Sequence, residues 1–281
     1  MKFLSKIAFL LTCCCCSIIT WGQVVSSDSW AATDALGRKI RDYQEAGNKK
    51  QNKFVALFYW TWHIYDLPPG SQVNNNTEIL RKNPEAILDY NHPAWNNPGR
   101  YYWEQPLFGY YKTTDPWVLR KHAEMLADAG VDAVFFDCTN LTLTWKESYD
   151  VLMEVWDQAQ KDGVNVPKIA FMLPFASPEY GTPQLHMLYE DIYKPGRYPN
   201  LWFIWKGKPC IMAYPEYLSD SKEDQEIAEF FTFRPGQSDY VDGPKRNDQW
   251  GWMEIYPQNG YAPLPNGGFE QTVVSVAQNA N

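Results

Sequence analysis

Asp115-Pro-Trp-Val-Leu-Arg-Lys-His-Ala-Glu-Met-Leu-Ala-Asp-Ala-Gly-Val-Asp-Ala-Val-Phe-Phe-Asp-Cys138 is the stretch from which the fold is read. Asp115 stands where a helix N-cap belongs, and Pro116 stands at the first helical position. Val118, His122, Met125, Leu126 and Ala129 then recur at helical spacing and define one face. Gly130 follows, the residue type that most easily takes the left-handed turn ending a helix. Val131–Cys138 is a run of strand length, apolar but for Asp132 until it reaches Asp137. A strand buried between two layers reads this way. A helix leading directly into such a strand is half of a parallel βα repeat.

Working outward, the rhythm continues. Thr144 and Glu147 form a capping-box pattern, and Leu152, Val155, Trp156 and Ala159 line the next helix face up to Gly163. Lys168–Phe175 is a third strand, followed by a helix near Pro183–Tyr193. Leu201–Trp205 and Pro209–Tyr214, joined at Gly207, read as a hairpin leading into a fourth barrel strand. Ser221–Phe231 is a helix, and Phe231–Arg234 and Trp250–Tyr256 are short strand candidates. Upstream, Phe54–His63 is a near-continuous apolar and aromatic strand. Residues 64–115 form a long connection without strong periodicity, the mark of a functional loop or an elaborated lid. Residues 23–52 are polar, with a helix expected around Asp34–Tyr43. No glycine-rich phosphate loop follows the first strand, which argues against a nucleotide-binding doubly wound sheet. The expected fold is therefore α/β, a (β/α)8 TIM-like barrel. About six barrel strands are counted, and Gln271–Gln278 begins another element, so the barrel is expected to be truncated at its C-terminal side.

Ahead of this domain, Lys2 and Lys6 precede an apolar run from Ile7 to Trp21, with Thr20 and Gly22 before Gln23. That is the pattern of a secretory signal peptide over residues 1–22, leaving 23–281 as one catalytic domain. The run is too short for a stable membrane span. Export to the periplasm or beyond follows, and the Cys13–Cys16 cluster leaves lipoprotein anchoring open. Only Cys138 and Cys210 lie outside the leader, both in apolar runs, so two buried thiols are expected. The formal charge is -8, and losing the leader removes Lys2 and Lys6 and no acid. No basic field attracts nucleic acid or an anionic membrane. The 13 Trp, 18 Tyr and 14 Phe supply flat apolar rings of the kind that stack on sugar faces, or equally fill a core.

Active sites of parallel α/β folds gather at the C-terminal ends of strands. Asp137 ends one strand, with Asn140 just beyond it, and Glu254 lies in Trp252-Met-Glu-Ile-Tyr-Pro-Gln258. Alternation places Trp252, Glu254, Tyr256 and Gln258 on one face. In the first strand Tyr59, Thr61 and His63 share one face, with Trp60 and Trp62 on the other. Glycosidic cleavage needs two carboxyl groups, one giving a proton and the other attacking or activating water. Asp137 and Glu254 are the candidate pair, Glu254 being set among rings that would raise its pKa as an acid requires. Tyr59, Trp62, His63, Trp103, Glu104, Asn140, Trp252, Tyr256 and Gln258 are candidate substrate contacts. Glu216, after Pro215, is a weaker catalytic candidate. The four His are widely spaced, with no HExxH or CxxC arrangement, so neither a metal nor another cofactor is expected. The absence of a G-x-S-x-G elbow disfavours an esterase.

Ala56–His63, Tyr102–Tyr111, Asp115–His122, Ala129–Asp137 and Trp252–Gln258, in that order, resemble bacterial secreted proteins related to the endo-α-mannosidase and α-1,3-glucanase families of glycoside hydrolases. The resemblance spans about residues 53–278. It implies a barrel, carboxylate catalysis, no organic cofactor, and a polysaccharide or glycan substrate. Such relatives carry a Trp-Asn-Glu-Trp-like strand end that this sequence lacks. Two other classes stay open at this point. One is a non-catalytic carbohydrate-binding or inactive truncated relative. The other is a metal-dependent deacetylase, for which no ligand set is found.

Overall fold

A computed structural model describes residues 32–47, 50–64, 69, 72–175, 177–236, 243–253 and 258–274. The expected signal peptide, residues 1–22, lies outside them, as do Glu254 and Tyr256. The chain forms two compact units, Met1–Asn52 and Lys53–Asn281. In the smaller one the helix expected around Asp34–Tyr43 is replaced by a turn. Asp34 Oδ1 accepts from Leu36 N and Arg38 N, both at 2.9 Å. An Asp side chain that bonds the backbone ahead of it competes with helix formation. Among the described residues there, only α1, Tyr43–Ala46, is helical.

The larger unit contains strands β1 (Ala56–Tyr59), β2 (Gln72–Asn75), β3 (Gly99–Tyr102), β4 (Ala133–Asp137), β5 (Lys168–Met172), β6 (Ile204–Trp205), β7 (Lys208–Met212), β8 (Thr232–Phe233), β9 (Gly260–Pro263) and β10 (Phe269–Thr272). Its helices are α2 (Asn76–Lys82), α3 (Pro116–Asp128), α4 (Lys146–Lys161), α5 (Pro178–Leu188) and α6 (Lys222–Phe230). Asp115 caps α3 as expected, accepting from Trp117 N and Val118 N. The Thr144/Glu147 box does not form. Trp145, in the left-handed region at φ 58°, occupies the N-cap of α4 without a side-chain bond. Helix α5 starts at Pro178, and Pro183, expected near its beginning, lies inside it. A π-helical turn, Tyr189–Tyr193, extends it.

The main sheet runs β1-β4-β5-β7-β8, all parallel and in chain order, with β2, β3 and β6 outside this parallel path. The short β6 forms the expected antiparallel hairpin with β7, and a parallel bridge from Gly236 to Trp250 extends the order past β8. A doubly wound sheet reverses direction at a switch point; this one winds one way only, as a TIM barrel does. It also curls. Trp252, from the far end of the order, stacks on Phe58 of β1 with ring centroids 5.2 Å apart. Phe54, just before β1, meets Phe203 and Trp205 of the hairpin region at 5.6 and 5.8 Å. The fold is thus mixed α/β with a parallel central sheet of TIM-barrel type.

Strand alternation divides the core into two layers. Val134, Phe136, Ile169, Phe171 and Ile211 face the helices and pack with Leu119, Leu152, Trp156, Leu185 and Leu188. Ala133, Phe135, Ala170, Met172, Cys210 and Met212 face inward, against Trp250, Tyr261 and Ala262. The free thiols of Cys138 and Cys210 are buried, as expected.

Two sequence expectations change. Residues 64–115 carry structure of their own: β2 and β3 pair in parallel, with α2 and two 3-10 turns between them. Gly99, at φ 112° and against the Gln72 backbone, allows that pairing because any side chain there would collide. Of the element expected over Gln271–Gln278, residues 275–278 lie outside the described residues, and Gln271 and Thr272 belong to β10. β10 pairs antiparallel with β9, and this hairpin places Tyr261 and Ala262 against the inward face. Glu270 of β10 is the reason it stays there. Its carboxylate meets the inward-facing Arg234 at 2.8 and 3.0 Å, with Lys206, Trp250 Nε1 and Trp205 Nε1 adding further contacts.

Candidate functional site

β4 delivers Asp137 to the C-terminal end of the sheet. Ala133, Phe135 and Asp137 alternate onto the inward face, so the strand that buries two apolar side chains aims a carboxyl at the barrel mouth. Asp137 is only 2% exposed. Its Oδ1 accepts from Thr139 N at 3.0 Å and Thr139 Oγ1 at 2.7 Å. Desolvation pushes its pKa above the ordinary aspartate value, and the two Thr139 bonds offset part of that rise. A carboxyl held this way keeps its proton to higher pH than a surface aspartate.

Beside it lies a row of rings. Trp62 Nε1 donates to the Asp137 carbonyl at 3.0 Å. Trp62 stacks on Trp60 at 5.1 Å and on Trp145 at 6.0 Å, with interplanar angles of 12° and 22°. Trp62 is thus stacked on two other indoles. Trp60, at the outer end, is 49% exposed. His63 meets the Trp60 ring edge-on at 5.9 Å and Tyr102 at 6.4 Å, and Tyr102 in turn contacts Tyr110 at 5.3 Å. Desolvation, then the nearby Arg100, lowers the His63 pKa, so the ring favours its neutral form. β2 and β3 bring Arg100 and Tyr102 to this corner, which gives the long connection a part in the site.

The face expectation for the first strand is corrected by the register. Phe58 pairs with Phe135 and Tyr59 with Phe136, so Phe58 points inward and Tyr59 points to the helices. Tyr59 Oη bonds His122 Nδ1 of α3 at 2.8 Å, and burial raises its pKa. Thr61 is buried, its carbonyl accepting from Thr113 Oγ1 and Ser148 Oγ. The strand ends at Tyr59, so period-two alternation does not extend through Trp60–His63. Trp252 is part-buried on the inward side, between Phe58 and Phe175. Trp103, Glu104 and Asn140 are solvent-exposed, away from the indole row's contacts. Gln258 is exposed and donates to Val273 O at 2.7 Å. Glu216 is tied to Arg246, which also holds Asp248, and this ion network occupies it structurally. Glu254 and Tyr256 lie outside the described residues.

Trp60, Trp145 and Thr139 were not singled out from the sequence. Trp145 sits in a loop with no periodicity, and its ring reaches the site only because its backbone turns left-handed. Thr139, two residues past the strand-end Asp, carries a legible signal: Asx-type bonding to i+2 is local. Among the described residues no group of three or more His, Cys, Asp or Glu could hold a metal ion. No helix there is long and apolar enough to cross a membrane. A crevice lined by Leu173, Leu185, Ala213 and Tyr217 includes neither Asp137 nor the indole row among its lining residues.

No protein-family model matches the chain, and no curated protein does. Among solved structures there is a distant likeness to the GH99 endo-alpha-mannosidase from Bacteroides thetaiotaomicron. In complex with BIS-TRIS-propane, that enzyme shares 15% identity at a TM-score of 0.40, over 65% of this chain and 52% of the other. A second structure of it gives 16% and 0.38, over 67% and 62%. The chain thus spans between half and two thirds of the length of those solved chains.

Proposed function

We propose that this protein is an exported glycoside hydrolase that cleaves a polysaccharide or glycan at the C-terminal mouth of its parallel sheet. The observation that carries this reading is Asp137: a desolvated carboxyl with a raised pKa, on the inward face, beside a row of indoles. A carboxyl that holds its proton suits a proton donor to the departing glycosidic oxygen. Glu254, expected from its neighbouring rings to be the acid, is here the proposed second carboxylate, attacking the anomeric carbon or activating water, because the raised pKa lies on Asp137. Trp60, rather than Trp62, is the proposed sugar-stacking ring, because it is the exposed member of the indole row, at 49%. His63, neutral and edge-on to Trp60, is placed to bond a hydroxyl. Localisation outside the cytoplasm belongs to the same proposal and rests on the leader sequence.

The near-complete burial of Asp137 favours a second reading, a glycan binder without turnover. Incubating the protein with a panel of α-linked polysaccharides separates them. Sugar release that is lost in Glu254→Gln and Asp137→Asn, with binding kept, supports the hydrolase. Binding without release in the wild type supports the binder, and neither on any glycan rejects both.

A further inference from the structure

Gln184 is a polar residue where packing alone would place Leu or Met. It lies on α5 between the helix and the sheet and is 0% exposed. Its Nε2 donates to three backbone carbonyls of one loop: Cys138 at 2.8 Å, Leu141 at 2.7 Å and Leu143 at 3.3 Å. Its Oε1 is buried with no hydrogen-bond partner. Burying an amide with half its bonding capacity unmet is costly. The three bonds to the loop are what the amide contributes that an apolar side chain could not.

That loop joins Asp137 to α4. It contains Leu141 at φ 56° and ends at Trp145 at φ 58°, two non-glycine residues in the left-handed region. Such conformations persist only where the surroundings hold them. Gln184 bonds carbonyls on either side of Leu141 and that of Leu141 itself. The loop's path sets two features of the site. It directs Thr139 N and Oγ1 onto Asp137 Oδ1. It also brings the Trp145 ring against Trp62. The Asp137 carboxyl bonds Thr139, and Gln184 bonds only the loop carbonyls, so the influence passes through the loop backbone.

We infer that Gln184 is a positioning residue that fixes the loop after β4, and through it the Asp137 carboxyl and the inner end of the indole row. Its catalytic consequence rests on the hydrolase reading above; its structural consequence does not. The test uses Gln184→Met, which keeps the volume and removes the donors, and Gln184→Glu, which keeps the shape and donates only when protonated. Hydrogen exchange of residues 138–145 is measured against that of β5 and β7. Gln184→Met is expected to lower protection in the loop at least tenfold while the strands stay as in the wild type. Gln184→Glu should fall between the two, with protection factors recovering as pH is lowered. On any glycan the wild type cleaves, Gln184→Met should lower kcat more than it raises KM. The pH limb belonging to Asp137 should also move upward, because weakened Thr139 bonds no longer restrain its pKa. Wild-type loop protection in Gln184→Met, or global unfolding of both variants, overturns the inference. A wild type inactive on every glycan, with the exchange result as expected, rejects the hydrolase reading and leaves the positioning role standing.

Discussion

Asp137 is where residue-scale chemistry is most exposed to test. Its raised pKa comes from lost hydration, and the Thr139 bonds pull against it. Asp137→Asn keeps the shape and both classes of neighbour but cannot give up a proton. It is expected to lower glycan turnover by about 10²–10⁴-fold, with calorimetric binding changed less than about threefold. A loss of binding as large as the loss of turnover would remove the proton-donor role. Trp60 makes a separate prediction. Its half-exposed ring contributes little to the core, so Trp60→Ala should weaken glycan binding by about tenfold, roughly 1.4 kcal/mol, with thermal stability close to wild type. Titration of intrinsic fluorescence with the cleaved glycan reads the first, and a melting curve the second. Trp62, partly buried and stacked on Trp60 and Trp145, should cost stability as well when replaced.

At the scale of elements, the β9–β10 hairpin depends on one carboxylate. Glu270 is about 5% exposed, and Arg234, Lys206 and two indole N–H groups surround it. These partners outweigh desolvation and hold its pKa at about 2, well below the usual glutamate range. A depressed carboxyl stabilises the fold above its unfolded pKa, and that stability is lost as pH falls through the folded value. The shift corresponds to about 3 kcal/mol at neutral pH. Urea unfolding followed from pH 6 to pH 2 should show stability falling below about pH 4.5. Glu270→Gln should flatten this acid limb and cost about 3–5 kcal/mol at pH 7, because Arg234 is left buried and uncompensated. Asp137 works in the opposite direction: its raised pKa favours the fold at low pH, and that contribution fades as pH rises through its folded value. An acid limb that survives in Glu270→Gln would assign it to other carboxylates, such as Asp191 and Asp224, whose pKa values are also lowered.

Over the whole molecule, the one-way winding of the sheet leaves a cost at its first strand. Among the described residues β1 pairs only with β4, so one row of its backbone groups lacks a strand partner. Leu57 is 43% exposed on that strand, with Phe54 and Val55 also open. Apolar strand edges recruit other chains, and a charge on the edge suppresses this. Leu57→Lys is expected to reduce concentration-dependent light scattering several-fold while leaving the near-ultraviolet circular dichroism unchanged. Unaltered scattering would show that this edge is not where association starts.

The sequence by itself determined the αβ rhythm from Asp115 onward, the cap at Asp115, the buried thiols, and Asp137 at a strand end. Each depends on local periodicity, on a side chain bonding its own backbone, or on a buried strand's composition. Tertiary structure alone decided the rest. Which face of β1 looks inward followed from its register with β4, because alternation in an isolated strand has no origin. The turn at Asp34 and the left-handed start of α4 went against the helix signals there, since local hydrogen bonding and loop packing outcompeted them. The role of Gln184 was invisible because its three acceptors lie more than forty residues away in the chain. So was that of Glu270, whose partners come from strands that the fold alone brings together around the β9–β10 hairpin. Contacts between distant residues are set by how the sheet curls, and that curvature is a property of all the strands at once.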